Sequence, residues 1–235
     1  MRGITKQFPG VLANDDVNLT VAQGETIALL GENGAGKTTL MNILTGLYTP
    51  TAGQVLIDNK PLVLDSPKDS IDAGIGMVHQ ELALVKPFTV AQNIALGLPA
   101  SDLSFPLPEV ENKVRELSEI YKLSIDPLAK VEDLSAGEQQ RAEIIKVLYH
   151  DPEILILDEP TANIDLRIET DIFDLLRLLN QRMTIIVVSH DIGFISRYVD
   201  RVACLNRSLM CHHTADINGK VISELYGSQV RMVEH

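Results

Sequence analysis

The sequence predicts an α/β fold with a mainly parallel core sheet and an inserted helical subdomain. Three observations carry that prediction. Val17–Leu30, "VNLTVAQGETIALL", reads as an alternating strand, a glycine-containing turn and a continuous apolar run ending at Gly31; beyond it Leu40, Ile43, Leu44 and Leu47 fall at helical spacing. Ile154–Leu157 and Thr184–Val188 are short, unalternating apolar runs, as expected of strands buried on both faces of a parallel sheet. Between those runs, Leu166, Ile168, Ile172, Leu175, Leu176 and Leu179 mark an amphipathic helix, which completes a strand–helix–strand unit.

The remaining elements follow in order. A short apolar run, Ile75–Val78, leads to Gln80. The stretch from about 81 to 150 reads as helical pieces, such as Glu109–Leu123, interrupted by the Pro-rich "LGLPASDLSFPLPE". Near its end "LSAGEQQR", Leu134–Arg141, starts a helix: Ser135 is a good N-cap, and Glu138 completes an S-x-x-E capping box. From Arg201, "RVACLNRSLMCHH" reads as a hairpin, followed by a short helix over Val221–Tyr226. The chain is thus expected to form one unit over 1–235, with 1–80 and 151–235 as the core and 81–150 as the inserted helical part.

Composition bounds the partners. The 235 residues are 45% apolar, ample for a sizeable core. Twenty basic against 32 acidic residues give a net charge of −12, which argues against nucleic acid or an anionic membrane as the main partner. No apolar run approaches the ~20 residues of a membrane span, and "MRGITKQFPG" lacks the apolar stretch of a secretory signal, so a cytoplasmic location is expected. Cys204 and Cys211 could face each other across the hairpin, but two reduced thiols are the expectation. Cys211, His212 and His213 could be read as metal ligands. Neighbours on a strand point to opposite faces and a zinc site wants three or four convergent ligands, so a solvated hairpin end is the default.

"GENGAGKTT", Gly31–Thr39, fits the phosphate-loop pattern G-x-x-x-x-G-K-[ST] through Gly31, Gly36, Lys37 and Thr38, and it lies between a predicted strand and a predicted helix. Asn33, Gly34, Gly36 and Thr39 belong to a backbone that can wrap a phosphate chain; Lys37 would reach the β and γ phosphates, and the Thr38 hydroxyl would ligate Mg²⁺. "ILILDEPTANID", Ile154–Asp165, places Asp158 and Glu159 at the carboxyl end of a buried strand. There Asp158 can hold Mg²⁺ and Glu159 can polarise an attacking water, the alternative being a paired acidic turn. His190 and Gln80 each follow a predicted strand end, where either could touch a ligand or serve only as a turn residue.

The phosphate loop, Gln80, "LSAGE", "LDEP", "NID" and "SH" come in the order found in the ATP-binding cassette ATPases, and the resemblance spans nearly the whole chain. It implies the P-loop fold of that type, with an antiparallel β subdomain beside the core sheet, and an Mg²⁺-dependent ATPase working as a head-to-tail dimer, each nucleotide lying between one copy's phosphate loop and the other's "LSAGE" helix. Carried over, Gln80 senses the nucleotide and a transport partner and reaches the metal, and Ser135 and Gly137 are signature residues. Asp165 belongs to the loop after the catalytic strand, His190 is the switch histidine, and Phe8 matches the aromatic that stacks on adenine, with a core role as its alternative. The Ser135 hydroxyl is then expected to face outward, toward the second copy's γ-phosphate. Membrane permease subunits would dock on the helical part near Gln80 and hold the chain at the inner face of the cell membrane.

Departures from the family pattern are specific. The signature is usually L-S-G-G-Q, and here Ala136 and Glu138 replace the second Gly and the Gln. The capping role of Glu138 would turn its charge toward its own helix. The strand that normally precedes "RGITKQF" is nearly absent, which would loosen the adenine side. Up to "LSAGEQQRAEIIKVL" the chain resembles the first ATPase domain of sugar and nucleoside importers; from about Asp151 it resembles the ATPase subunit of zinc or manganese importers. A recombined or designed chimera with a seam near Lys146–Glu153 is the expectation drawn from that contrast, and it carries an alternative function: a chain that folds and binds ATP but has no cognate permease.

Overall fold

Among the described residues two β-sheets form, and the larger one positions the site. The computed structural model describes residues 1–98, 107–160, 174–190 and 198–214. In chain order the elements are β1 (Arg2–Phe8), β2 (Val11–Val17), β3 (Thr26–Leu30), α1 (Lys37–Leu44), β4 (Ala52–Ile57), β5 (Lys60–Leu62), α2 (Pro67–Asp72) and β6 (Ile75–Val78). Then come α3 (Val90–Ala95), α4 (Leu107–Ile120), α5 (Ala136–Leu148), β7 (Ile154–Asp158), a helix α6 over 174–180, β8 (Thr184–Ser189), β9 (Arg201–Asn206) and β10 (Ser208–His213).

The six-stranded sheet has the order β10-β9-β3-β8-β7-β6, parallel throughout except for β10, which pairs antiparallel with β9. The other sheet, β2-β1-β4-β5, is wholly antiparallel. Both expected sheet types are therefore present. All residues of β3 and β8 are buried, and successive residues feed opposite cores. Ala28, Leu30, Leu155, Leu157, Ile185 and Val187 pack with α3, α4, α5 and α6; Ile27, Leu29, Ile156, Ile186 and Val188 pack with α1 and the antiparallel sheet. This double cover is why these strands read as continuous apolar runs rather than as alternation. β3 lies between β8 and β9, so the loops leaving β3, β7 and β8 converge at one end of the sheet, where open α/β folds bind ligands.

Two expectations need adjusting. The strand expected to begin at Val17 instead ends there, because β2 occupies Val11–Val17; the alternation beyond it is real burial of Leu19, which exchanges backbone bonds of 2.8 and 3.1 Å with Met1 outside any regular strand. The helix expected over Glu109–Leu123 runs from Leu107 to Ile120, and the left-handed backbone at Lys122 (φ 54°) and Ser124 (φ 52°) ends it. The hairpin forms as expected, yet Cys204 lies opposite Met210 and Cys211 opposite Ala203, on different faces, so the two free thiols cannot meet. The same register separates His212 from Cys211 and His213, and among the described residues no three His, Cys, Asp or Glu side chains gather into a metal cluster. The Val221–Tyr226 helix and the Leu166–Ile172 part of the amphipathic helix lie outside the described residues.

Candidate active site

The loop from Gly31 to Thr39 is shaped by where its glycines sit. Gly34 (φ 83°) and Gly36 (φ 97°) are left-handed, and Gly36 is the N-cap of α1. A Cβ on Gly36 would lie 2.4 Å from the Ala13 carbonyl oxygen and 2.7 Å from Asn14 Nδ2. The fully buried Asn14 donates from Nδ2 to the Gly36 carbonyl at 3.3 Å, so β2 holds the loop from behind. α1 has no side-chain cap, and Gly36 O accepts from Leu40, which leaves the first-turn N–H groups without acceptors inside the helix. Lys37, 7% exposed, folds across the loop and donates to the carbonyls of Gly31 (2.7 Å) and Glu32 (3.2 Å), using two of its three protons.

This loop forms one wall of a cavity of about 370 Å³, lined also by Phe8, Gln80, Asp158 and Glu159. Asp158 ends β7 and is 7% exposed; burial first, then the neighbouring Glu159 charge, raises its pKa, against the pull of His79 and Lys37. Glu159 takes a left-handed φ of 47°, held by its N–H to the Val188 carbonyl at 2.9 Å. That conformation is costly for a non-glycine residue and turns its carboxylate off the strand line. Its Oε2 lies 2.9 Å from Nδ1 of His190, just past β8. Gln80 is exposed two residues beyond β6. The half-buried Phe8 ring meets Tyr48 edge-on at 5.5 Å, with Lys6 Nζ 5.1 Å over its face.

Of the expected site residues, Phe8, Asn33, Gly34, Gly36, Lys37, Thr38, Thr39, Gln80, Asp158 and Glu159 all line this cavity, Gly31 binds Lys37 and His190 binds Glu159. Ser135 and Gly137 do not line it, and Asp165 lies outside the described residues. Ser135 is exposed at the start of α5, whereas Gly137 is buried in a separate cleft with Gln140 and Arg141. The Ser135 hydroxyl corrects the sequence reading. It does not point its proton outward but donates to Glu138 Oε2 at 2.6 Å, and the Ser135 N–H donates to the same oxygen at 2.9 Å. The charge of Glu138 is turned onto its own helix cap, as the capping box requires.

Sequence reading missed Leu12, Ala13 and Arg207 on the cavity wall. Leu12 and Ala13 belong to a strand whose "NDD" hides its pattern, and Arg207 is the left-handed turn residue of the β9–β10 hairpin, brought in by the Asp15 N–H to Arg207 carbonyl bond of 3.1 Å. No local signal marks any of the three.

The donor set fits a nucleoside triphosphate with a divalent cation. The loop supplies unused N–H groups and an ammonium, and Thr38 supplies a hydroxyl. Two adjacent carboxylates, one with its pKa raised by burial, form a site whose charge calls for a cation.

Comparison with known proteins agrees with this geometry. Residues 14–162 match the family model described as ABC transporter. A nucleoside import ATP-binding protein of Lactococcus lactis is 42% identical over 96% of the chain and 45% of its own length; a glucose import ATP-binding protein of Haloferax volcanii is 40% identical over 96% of the chain and 47% of its own. The chain spans about half the length of these curated relatives. Both matches extend across Lys146–Glu153, and nothing in them divides the chain there into two ancestries, so the seam and the zinc or manganese resemblance find no support. Among solved structures, an ATP-binding cassette of an ABC transporter in its ADP conformation superposes with a TM-score of 0.84 at 26% identity, covering 96% of each chain. A dimeric cassette bound to ADP and Pi gives a TM-score of 0.76 at 28% identity, covering 91% of this chain and 97% of that one. The chain belongs to the ABC transporter family, with the P-loop fold of its ATP-binding cassettes.

Proposed function

We propose that the chain binds and hydrolyses ATP with Mg²⁺ as a head-to-tail dimer and so drives an importer, its solute a sugar or nucleoside like those named for its relatives. The observation that supports this best is the convergence, in one cavity at the carboxyl end of the sheet, of the phosphate loop with Asp158 and Glu159, the latter held by His190.

In this reading the loop N–H groups and Lys37 grip the β and γ phosphates, and Phe8 stacks on the adenine. Thr38, Asp158 and Gln80 hold Mg²⁺, which when bound offsets phosphate charge. Glu159 orients the attacking water and accepts its proton. His190 Nδ1–H donates to the Glu159 carboxylate and fixes it beside the water that it orients. Gly31, Asn33, Gly34, Gly36 and Thr39 shape the loop, while Ser135, Gly137 and Asp165 serve the nucleotide held by the second copy.

Residues 81–150 act as the helical unit that meets the permease. Val85, Phe88, Leu96 and Leu128 are among its exposed large apolar side chains, and they are available to a docking partner. No helix among the described residues is long and apolar enough to cross a membrane, so in this reading the permease holds the chain at the cytoplasmic face.

The test pairs two measurements on Glu159→Gln. Size-exclusion chromatography with ATP and Mg²⁺ should show an ATP-dependent dimer, and phosphate release should fall at least about 100-fold below the unsubstituted chain. Hydrolysis as fast as the parent would remove Glu159 from the reaction.

A further inference from the structure

We infer that Glu138 is a latch on dimer closure, a positioning residue that holds Ser135 away from the second copy's nucleotide until it is displaced. The inference rests on the dimeric reading above.

A serine hydroxyl has one proton to give, and here it goes to Glu138 Oε2 at 2.6 Å, the shortest of the contacts at this cap. The same oxygen takes the Ser135 N–H at 2.9 Å, and Ser135 Oγ accepts from the Glu138 N–H at 3.4 Å. The cap is therefore closed on itself. A γ-phosphate oxygen approaching α5 would find the Ser135 donor occupied and a full negative charge beside it. Glu138 is half-buried and Ser135 exposed, and the hydrogen bonds from Ser135 keep this carboxyl below the usual carboxylate range, so the opposing charge is in place at neutral pH. Arg141, one turn further along the helix, is the cation whose charge acts on Glu138. Closure must break the short Ser135–Glu138 bond and swing the carboxylate aside. The latch thus sets how much ATP is needed before two copies join.

A glutamine at 138 can still close a capping box, but it carries no charge and competes weakly for the hydroxyl proton. The experiment compares Glu159→Gln with Glu159→Gln/Glu138→Gln, titrating Mg-ATP and reading dimer by sedimentation velocity. The ATP concentration at half-dimer should drop about two- to five-fold in the double variant, since each of the two nucleotides opens one latch and each latch contributes on the scale of a helix-end charge. Monomer affinity for a fluorescent ATP analogue should stay where it was and the thermal midpoint should fall by no more than about 4 °C, the loss of one helix-end charge; a merely structural role of Glu138 would lower the midpoint without easing dimerisation. An unchanged or higher ATP requirement in the double variant, with Glu159→Gln itself dimerising, overturns the latch and leaves the dimeric reading intact. Failure of both variants to dimerise overturns the dimeric reading, and the latch with it.

Discussion

The starts of α1 and α5 are built in opposite ways. α1 begins at Gly36 with no side-chain cap and no acidic residue in its first turn, and the positive charge beside it is Lys37, pinned across the loop by two carbonyls. α5 begins at Ser135 with a complete capping box and an acidic first turn, Glu138. The first is a helix N-terminus left open, which in the proposed function holds its own chain's nucleotide; the second is satisfied internally and, in the proposed latch, is opened from outside. What the difference teaches is a division of labour: unused N–H groups and a buried ammonium make a site that binds alone, whereas a self-capped helix contributes only when another molecule supplies enough free energy to displace the cap.

The largest expected effect breaks the second half of that comparison without touching the first. Ser135→Arg places a long cation where a second copy's nucleotide would sit, on an exposed position where the monomer loses only its α5 N-cap, a cost of about 0.5–2 kcal/mol. Hydrolysis should fall by about 100-fold or more, the scale of a lost transition-state donor, while the affinity of the monomer for an ATP analogue stays within two-fold, read by fluorescence titration. An equal loss of monomer binding would show that Ser135 serves its own copy's nucleotide.

The first half breaks at Gly36. An alanine there would hold its Cβ 2.4 Å from the Ala13 carbonyl oxygen at φ 97°, so the loop must move off β2 or leave its left-handed turn. Gly36→Ala should cost about 1–3 kcal/mol of stability and at least a ten-fold loss of monomer ATP affinity, measured by urea unfolding and by titration. Wild-type affinity in a folded variant would mean that the loop geometry does not set binding.

The two helix starts also differ in how much of them the sequence discloses. The apolar runs that became β3, β7 and β8 were legible because strands covered on both faces leave no alternation to misread, and the spacing from Gly31 to Thr38 sits in the right strand–helix context. The capping box at Ser135 was legible as well, down to the turning of Glu138. What it could not disclose is the fate of a single hydroxyl proton, which is decided at 2.6 Å. The antiparallel sheet was harder: β2 buries only Asn14 and Val17 fully, and β1 carries register shifts against both neighbours, so period-two patterning is lost. Arg207 and Ala13 reach the cavity through pairings between distant segments, which no local pattern encodes.

The smallest effect sharpens the electrostatic side of the open site. Asp158 has its pKa raised above 3.8, by burial first and the Glu159 charge second. A raised carboxyl binds its proton more tightly folded than unfolded. Its contribution therefore favours folding below the ordinary value near 3.8 and is withdrawn as pH climbs through the raised native value. At neutral pH the charged form stays buried at a cost, which a bound divalent cation would offset. Asp158→Asn removes the charge at constant shape, so without nucleotide or metal its thermal midpoint at pH 7 should exceed the parent's by a few degrees, with the gap closing toward pH 3.8. Adding Mg-ATP should reverse the order, because the parent gains stability from a ligand that the variant holds less well. A variant less stable than the parent at pH 7 without ligand would mean that the buried carboxylate is already compensated within the chain, and the case for a cation at Asp158 would lose its electrostatic ground.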